Sequence, residues 1–130
     1  MANATLDWRL ELIQVPVSDV DRAKTFYVEK LGFNPDHDHR VTEEIRFVQL
    51  TPPGSACSIA LTTGNHEMKP GSLDGLQVVV SDADAVRAQL VERGVEVSEV
   101  QEFPWGRFVF LTDPDGNGWA VQQPTRPGAE

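Results

Sequence analysis

The chain has 130 residues, enough for one globular domain with a real hydrophobic core. Hydrophobic residues make up 40% of the chain and charged residues 24%, which excludes a disordered, fibrous or coiled-coil protein. Acidic residues outnumber Lys and Arg by 20 to 11, and the net charge of −9 repels the phosphates of nucleic acids and anionic lipids. We therefore expect a single soluble domain over 1–130 that binds neither nucleic acid nor membrane.

Cysteine content and the first residues bear on location. The chain contains one cysteine, Cys57, so it cannot form an internal disulfide. The first residues have neither the basic start nor the apolar run of a signal peptide. No stretch approaches the roughly 20 apolar residues that span a bilayer. These features predict a cytoplasmic protein.

An internal repeat appears when residues 12–19 are laid over residues 75–82. Matched polar residues are harder to obtain by chance than matched valines, so we interpret the match as a duplicated module. A first module is predicted over 8–63 and a second over 73–123, with a tail over 124–130. The identical pairs include Gln14 and Gln77, Ser18 and Ser81, and Asp19 and Asp82.

Each module begins with an apolar, β-branched run, continues with Ser-Asp-x-Asp and then shows the apolar period of a helix. Ser18 and Ser81 are predicted to cap these helices, and Gly32 and Gly94 to end them. Each module is therefore predicted as β-α-β-β-β, an α+β arrangement. The extended segments after the helices are 33–39, 45–50 and 58–62 in the first module and 95–100, 106–111 and 119–123 in the second.

Four motifs follow one another at a distinctive spacing: Pro16-Val-Ser-Asp-Val-Asp-Arg-Ala23, Phe26-Tyr27, Leu31-Gly32-Phe33 and Asp113-Pro-Asp-Gly-Asn117. In order and spacing they resemble the vicinal oxygen chelate superfamily, which contains glyoxalases, bleomycin-resistance proteins and extradiol dioxygenases. The resemblance covers about residues 8–123. It implies a glyoxalase-like fold, in which two tandem βαβββ modules form curved mixed sheets whose concave faces enclose a cleft. It also implies a homodimer.

Enzymes of this superfamily place His, Glu or occasionally Gln ligands on the first and fourth strands of each module, where a divalent ion polarises substrate oxygens. The resemblance assigns these positions to residues without metal-binding side chains, so we expect neither the usual metal centre nor another cofactor. Glu11 is a neighbour of the first position, but strand alternation sends its side chain to the opposite face. The four positions are Leu12, Ala60, Gly75 and Ala120.

Residues two positions away from these sites share their face of the strand. The floor of the cleft is therefore predicted to present neutral amides and hydroxyls, which either bond to a neutral ligand or satisfy one another. Aromatic rings could stack on a planar ligand, and arginines could anchor a carboxylate or an enolate. The predicted ligand-binding residues are Gln14, Ser58, Thr62, Gln77, Trp105, Arg107, Trp119 and Gln122.

The segment Asp36-His37-Asp38-His39 contains two of the three histidines. On a regular strand the two histidines share one face and the two aspartates the other. A His-x-His pair can begin a metal site, although a third ligand, such as His66, must come from elsewhere. Alternatively an Asp-His pair acts as a general base, or the segment is simply an exposed strand.

Hypotheses from different functional classes remain. The first is a binding protein of the bleomycin-resistance type, which sequesters a small, partly planar molecule in a metal-free cleft. The second is a metal-independent isomerase, lyase or cyclase. A third is a divergent metal-dependent lyase or dioxygenase that uses His37 or His39. The candidate catalytic residues of the second hypothesis are Asp36, Asp38, His39 and Arg46, with Gln77 steadying negative charge.

Overall fold

The structure is a computed structural model that describes residues 6–63 and 67–125. Its strands form two four-stranded sheets. Sheet 1 contains β1 (Leu12–Pro16), β2 (Asn34–Arg40), β3 (Arg46–Thr51) and β4 (Ser58–Thr62) in the order β1-β4-β3-β2. Sheet 2 contains β5 (Leu76–Val79), β6 (Gln101–Phe103), β7 (Gly106–Thr112) and β8 (Gly118–Pro124) in the order β5-β8-β7-β6. The repeated order confirms the predicted tandem-module α+β fold.

Both sheets are mixed. The first strand of each module pairs in parallel with the fourth, and the other neighbours pair antiparallel. A parallel pair requires a long crossover, which the helix and the two intervening strands supply. β1 and β5 are consequently edge strands of their sheets.

The helices begin at aspartates. α1 (Val20–Thr25) continues into a π-helical turn at Phe26–Lys30, and α2 is Ala83–Glu92. The predicted caps Ser18 and Ser81 were wrong by one residue, because Asp19 accepts a bond from Arg22 N at 3.1 Å and Asp82 one from Ala85 N at 3.0 Å. A carboxylate at this position also interacts favourably with the helix dipole. Within the described residues, no helix is long and apolar enough to cross a membrane.

The predicted strand over 95–100 forms only in part. Val97 makes an isolated bridge with Leu111, and Ser98 N donates to Phe110 O at 2.9 Å, but β6 begins only at Gln101. The Ser98 hydroxyl oxygen accepts from Phe110 N at 2.9 Å. A serine side chain that bonds to a strand amide in this way replaces a ladder bond and interrupts the strand.

One face of each sheet packs with the helices in a single core. Val15, Val48 and Leu61 of sheet 1 belong to this helix-side face, as do Val109 and Val121 of sheet 2. Alternation places the remaining strand residues on the opposite face, which is termed the open face. Among them are Gln14, Phe47, Gln49, Thr51, Ser58, Ala60 and Thr62 in sheet 1, and Gln77, Val79, Phe103, Phe108, Phe110, Ala120 and Gln122 in sheet 2.

A buried hydrogen-bond network joins the modules. The Tyr27 hydroxyl donates to Asp113 Oδ2 at 2.7 Å, and Trp119 Nε1 donates to the Tyr27 oxygen at 3.0 Å. Asn117 Nδ2 donates both to Asp113 Oδ2, at 2.8 Å, and to Pro16 O, at 2.9 Å. Burial and the neighbouring Asp113 carboxylate raise the pKa of Tyr27, so the phenol remains a donor.

We expect Tyr27→Phe to lower the free energy of unfolding by about 1–3 kcal/mol, because it removes one donor from a buried carboxylate and the acceptor of an indole N–H. Urea titration measures this change. Thr112→Val removes an exposed hydroxyl and should change stability by less than about 0.5 kcal/mol. A Tyr27→Phe variant as stable as the wild type would show that the network does not hold the modules together.

Candidate functional site

The open face of sheet 2 has a continuous row of aromatic rings. Phe103 stacks on Trp105, with ring centroids 5.5 Å apart and planes at 13°. Phe103 also meets Phe108 edge to face, and Phe108 stacks on Phe110 at 5.8 Å and 6°. Trp105 is 60% exposed. The row thus consists of two stacked pairs that are nearly perpendicular to each other, and its exposed ring Trp105 offers a stacking surface to a flat molecule.

Two glutamines lie beside this aromatic row. Gln77 Nε2 donates to Gln122 Oε1 at 2.7 Å, and Gln122 Nε2 donates to Trp105 O at 3.1 Å. The bonds fix the turn that carries Trp105. Gly106 follows it, where a Cβ would lie 2.7 Å from Gln123 O, so the close approach of the turn to β8 requires glycine. Both predicted glutamines therefore lie on the open face, bonded to each other.

A cavity of about 610 Å³ opens at the Phe110 end of the row. Phe110, Thr112 and Gly118 border it from β7 and β8, and Asp74 and Glu96 lie at its margin. It is wide open to solvent, and Leu111 and Trp119 complete its lining from the helix side.

The open face of sheet 1 is polar. Gln49 Nε2 donates to the Ser58 hydroxyl at 3.1 Å, and the Ser58 and Thr51 hydroxyl oxygens are 2.6 Å apart. Thr51 also donates to Asp36, and this bond is the main reason why the pKa of Asp36 is lowered. The predicted residue Ser58 is thus buried within a side-chain network.

The other predicted residues of sheet 1 lie near this network. Gln14 is exposed on the open face. It pairs in register with Ala60, which is buried beside it. Thr62 is partly buried and its hydroxyl donates to Val15 O at 3.5 Å.

His37 and His39 lie on the same open face, because they pair in register with Gln49 and Phe47 of β3. Their rings are 5.7 Å apart and tilted by 31°, and the His37 ring lies 6.5 Å from that of Phe47. A β-bulge between Pro35 and His37 breaks the alternation. Asp36 therefore reaches Thr51, instead of sharing a face with Asp38 as a regular strand would predict.

Asp38 and Arg46 lie on the helix-side face in an ion-pair network. Arg46 bonds to Asp38 at 2.9 and 2.8 Å and to Asp21 at 2.8 Å, and Lys24 donates to Asp38 at 2.7 Å. The Arg46 guanidinium and Lys24 hold the pKa of Asp38 well below its usual range. Such a carboxylate is a poor base. The structure does not bring these two predicted catalytic residues together with His39.

Trp119 and Arg107 also lie on the helix side rather than at the predicted site. Trp119 is 5% exposed and packs in the core against Tyr27. Arg107 pairs with Asp84 of α2 and lies 3.5 Å from the Glu102 carboxylate. Neither side chain reaches the open face, because alternation along β7 and β8 gives that face to Phe108 and Ala120.

The resemblance implies metal ligands at four positions, but the side chains there offer no donor atoms. These positions are Leu12, Ala60, Gly75 and Ala120. In the two described segments, no three His, Cys, Asp or Glu residues are grouped so that they could hold a metal ion. The side chains present do not fit a divalent cation. His66, considered above as a third ligand, lies outside the described residues.

Sequence reasoning missed several residues of the open faces, among them Phe47, Gln49 and Thr51 on β3 and Phe103 on β6. The signal was present for β3, because Val48 and Leu50 are apolar and alternate with these three residues. The segment before Trp105 gave no such signal, because Gln101-Glu102-Phe103 is too short to show alternation.

Comparison with known proteins gives consistent matches. The family model described as Glyoxalase/Bleomycin resistance protein/Dioxygenase superfamily matches residues 9–121. The structure of TnmS3, an antibiotic binding protein from Streptomyces sp. CB03234, is similar with a TM-score of 0.86 and 40% identity, covering 93% of this chain and 99% of that one.

Two further relatives cover most of the chain. A glyoxalase/bleomycin resistance protein from Streptomyces sp. CB03234 has a TM-score of 0.80 and 42% identity, covering 88% of this chain and 100% of that one. The uncharacterized protein YetH of Bacillus subtilis (strain 168) is 26% identical over 116 residues, which are 85% of this chain and 94% of YetH.

Asp38 should support stability and not ligand binding. Its lowered pKa means that the folded state gains from the ionised carboxylate above the ordinary carboxyl pKa of about 4 and loses this gain as the pH falls. We expect Asp38→Asn to destabilise the protein by about 1 kcal/mol at pH 7, and the difference to shrink towards pH 2.

Urea titrations across this pH range check the prediction, with Asp7→Asn at an exposed position as the control that should show little change. An Asp38→Asn variant with wild-type stability at every pH would contradict it.

Proposed function

Because the chain belongs to the glyoxalase/bleomycin resistance protein/dioxygenase superfamily, we propose that it binds and sequesters a small, partly planar organic molecule. The proposed site is a cleft without a metal ion. One observation supports the proposal above all: the row of aromatic rings from Phe103 to Phe110 lies on the open face, where Phe103, Trp105 and Phe110 remain exposed although they are large and apolar. The ligand class we propose is an antibiotic, in line with the description of TnmS3.

The chemistry of the site favours binding over catalysis. Asp36 is tied to Thr51, and Asp38 and Arg46 are committed to ion pairs on the other side of the sheet. Apart from His37 and His39, the open faces present neutral amides, hydroxyls and aromatic rings, which hydrogen-bond and stack but do not take up a proton from carbon. A ligand held by such groups is expected to leave the protein unchanged.

We propose that two copies of the chain form the cleft together. Val79 is 52% exposed on the edge strand β5, and Trp8 is 84% exposed just before the edge strand β1. Leu6, Trp8 and Leu10 continue the alternation of β1, and each is largely exposed in the single chain. Apolar side chains along sheet edges suit contact with a second copy. We place this homodimer in the cytoplasm, where Cys57 stays reduced.

Binding can be tested with 2-naphthol, a flat, neutral bicyclic probe, by isothermal titration calorimetry. We expect saturable binding to the wild type and recovery of unaltered 2-naphthol by mass spectrometry. Trp105→Ala should weaken binding at least about fivefold, because it removes an exposed stacking ring. Trp105→Phe keeps a ring and should bind within about twofold of the wild type.

Equal affinity of Trp105→Ala and the wild type would mean that the aromatic row is not the site. Chemical conversion of a bound compound over many turnovers would overturn sequestration in favour of an enzyme.

The dimer can be tested with a matched pair of valines. Val79 and Val91 are 52% and 51% exposed, but Val79 lies on the β5 edge and Val91 on the outer side of α2. Sedimentation equilibrium should give twice the 14.4 kDa of one chain for the wild type and for Val91→Asp. It should give the single-chain mass for Val79→Asp. A monomeric wild type would refute the shared cleft.

A further inference from the structure

We propose that His37 and His39 form an anion subsite of this cleft, which takes planar ligands that carry a carboxylate or a similarly acidic oxygen. The inference rests on the proposed function and specifies the ligand. It is drawn from the open face of sheet 1, which the aromatic row of sheet 2 does not explain.

The ring nitrogens of His37 and His39 differ from most other polar groups of this face because they are not engaged in hydrogen bonds with the described residues. On the same face, Gln49, Thr51 and Ser58 are bonded to one another, and in sheet 2 Gln77 is bonded to Gln122. In the part of the chain that the structure describes, neither imidazole makes a hydrogen bond or an ion pair with another residue. Both side chains are exposed, so their ring nitrogens are available to a ligand.

Histidine is also a side chain that can carry a positive charge, and His37 and His39 bring this property to the open face of sheet 1. Among the described strand positions on the two open faces there is no lysine or arginine. Asp36, whose carboxylate interacts electrostatically with His37, is already bonded by Thr51 and by Asn34. The remaining charged groups around β2 lie on the helix side or in the turn that follows: Asp21, Lys24, Asp38, Arg40 and Arg46 on the helix side, and Glu43 and Glu44 in the turn.

The geometry suits an aromatic acid. The two rings lie on one face with their centroids 5.7 Å apart, so each can offer one N–H donor to one oxygen of the same carboxylate. The Phe47 ring lies 6.5 Å from His37 on the same side, so the apolar body of the ligand meets carbon and its acidic end meets nitrogen.

The sign of the pH dependence follows from the charge of histidine. A histidine side chain gains its proton as the pH falls from about 8 to 5, whereas an aromatic carboxylate stays ionised down to about pH 5. Binding of an acid should therefore strengthen as the pH falls, and binding of a neutral analogue should not change.

The experiment compares naphthalene-2-carboxylate with 2-naphthol at pH 8 and pH 5.5, by calorimetry in buffers containing EDTA so that no metal ion mediates the contact. We expect the wild type to bind the carboxylate about three- to tenfold more tightly at pH 5.5 than at pH 8, and 2-naphthol equally at both. The double variant H37Q/H39Q should lose the pH dependence and keep its affinity for 2-naphthol.

Arg40→Gln is the matched control, because it removes a positive charge from the same strand but on the helix side. It should keep the wild-type pH dependence. The single variant H39Q should lose about half of the pH effect, which provides a second readout if the double variant does not fold.

Binding of both probes without any pH dependence would overturn the anion subsite and leave the proposed function standing. A pH effect that persists in H37Q/H39Q would also overturn it. Failure of both probes to bind the wild type at either pH would overturn the proposed function together with the subsite.

Discussion

The hydrogen bond between the Tyr27 hydroxyl and the Asp113 carboxylate connects the two modules at their centre. Asp113 is buried, and its Oδ1 accepts from the backbone N–H groups of Asp115, Gly116 and Asn117 at 2.9–3.0 Å. A buried carboxylate is tolerated only when donors surround it, and here the turn supplies three while Tyr27 and Asn117 supply the others. The Asp-Pro-Asp-Gly-Asn motif therefore specifies how the modules join, which explains why it identifies a fold and says little about chemistry.

Once the helix-side faces are committed to this core, the open faces are free to diverge. The two modules use the same strand order, yet β2 presents His37 and His39 where β6 presents Gln101 and Phe103. One sheet has become polar and the other aromatic. A duplicated scaffold can in this way recognise the two unlike ends of one molecule without any change to its core.

Strand alternation predicted much of this arrangement, and its failures have physical causes. Gln14, Gln77 and Gln122 lie on the open faces, as their spacing of two residues from the implied ligand positions predicted. Alternation places Ala120 on the open face and therefore places its neighbour Trp119 on the helix side. The prediction that Trp119 lies in the cleft was made because the residue is aromatic, and it disregarded this alternation. The orientation of Asp36 was not predicted because a β-bulge breaks the alternation of β2. The ion pairs of Asp38 with Arg46 and Lys24 were not predicted because they depend on how α1 packs against the sheet, which the sequence does not show.

The small residues at the implied ligand positions alter the shape of the site as well as its chemistry. Ala60 lies between Gln14 and Gln49, and Ala120 lies opposite Phe110. A histidine or glutamate at either place would project several ångströms above the sheet and occupy the space in front of these side chains. Ala60 is buried, but Ala120 is only partly buried, so a flat ring can approach the strands of sheet 2 there and make dispersion contacts. The residues without metal-binding side chains are thus, under the proposed function, the residues that leave room for an aromatic ligand.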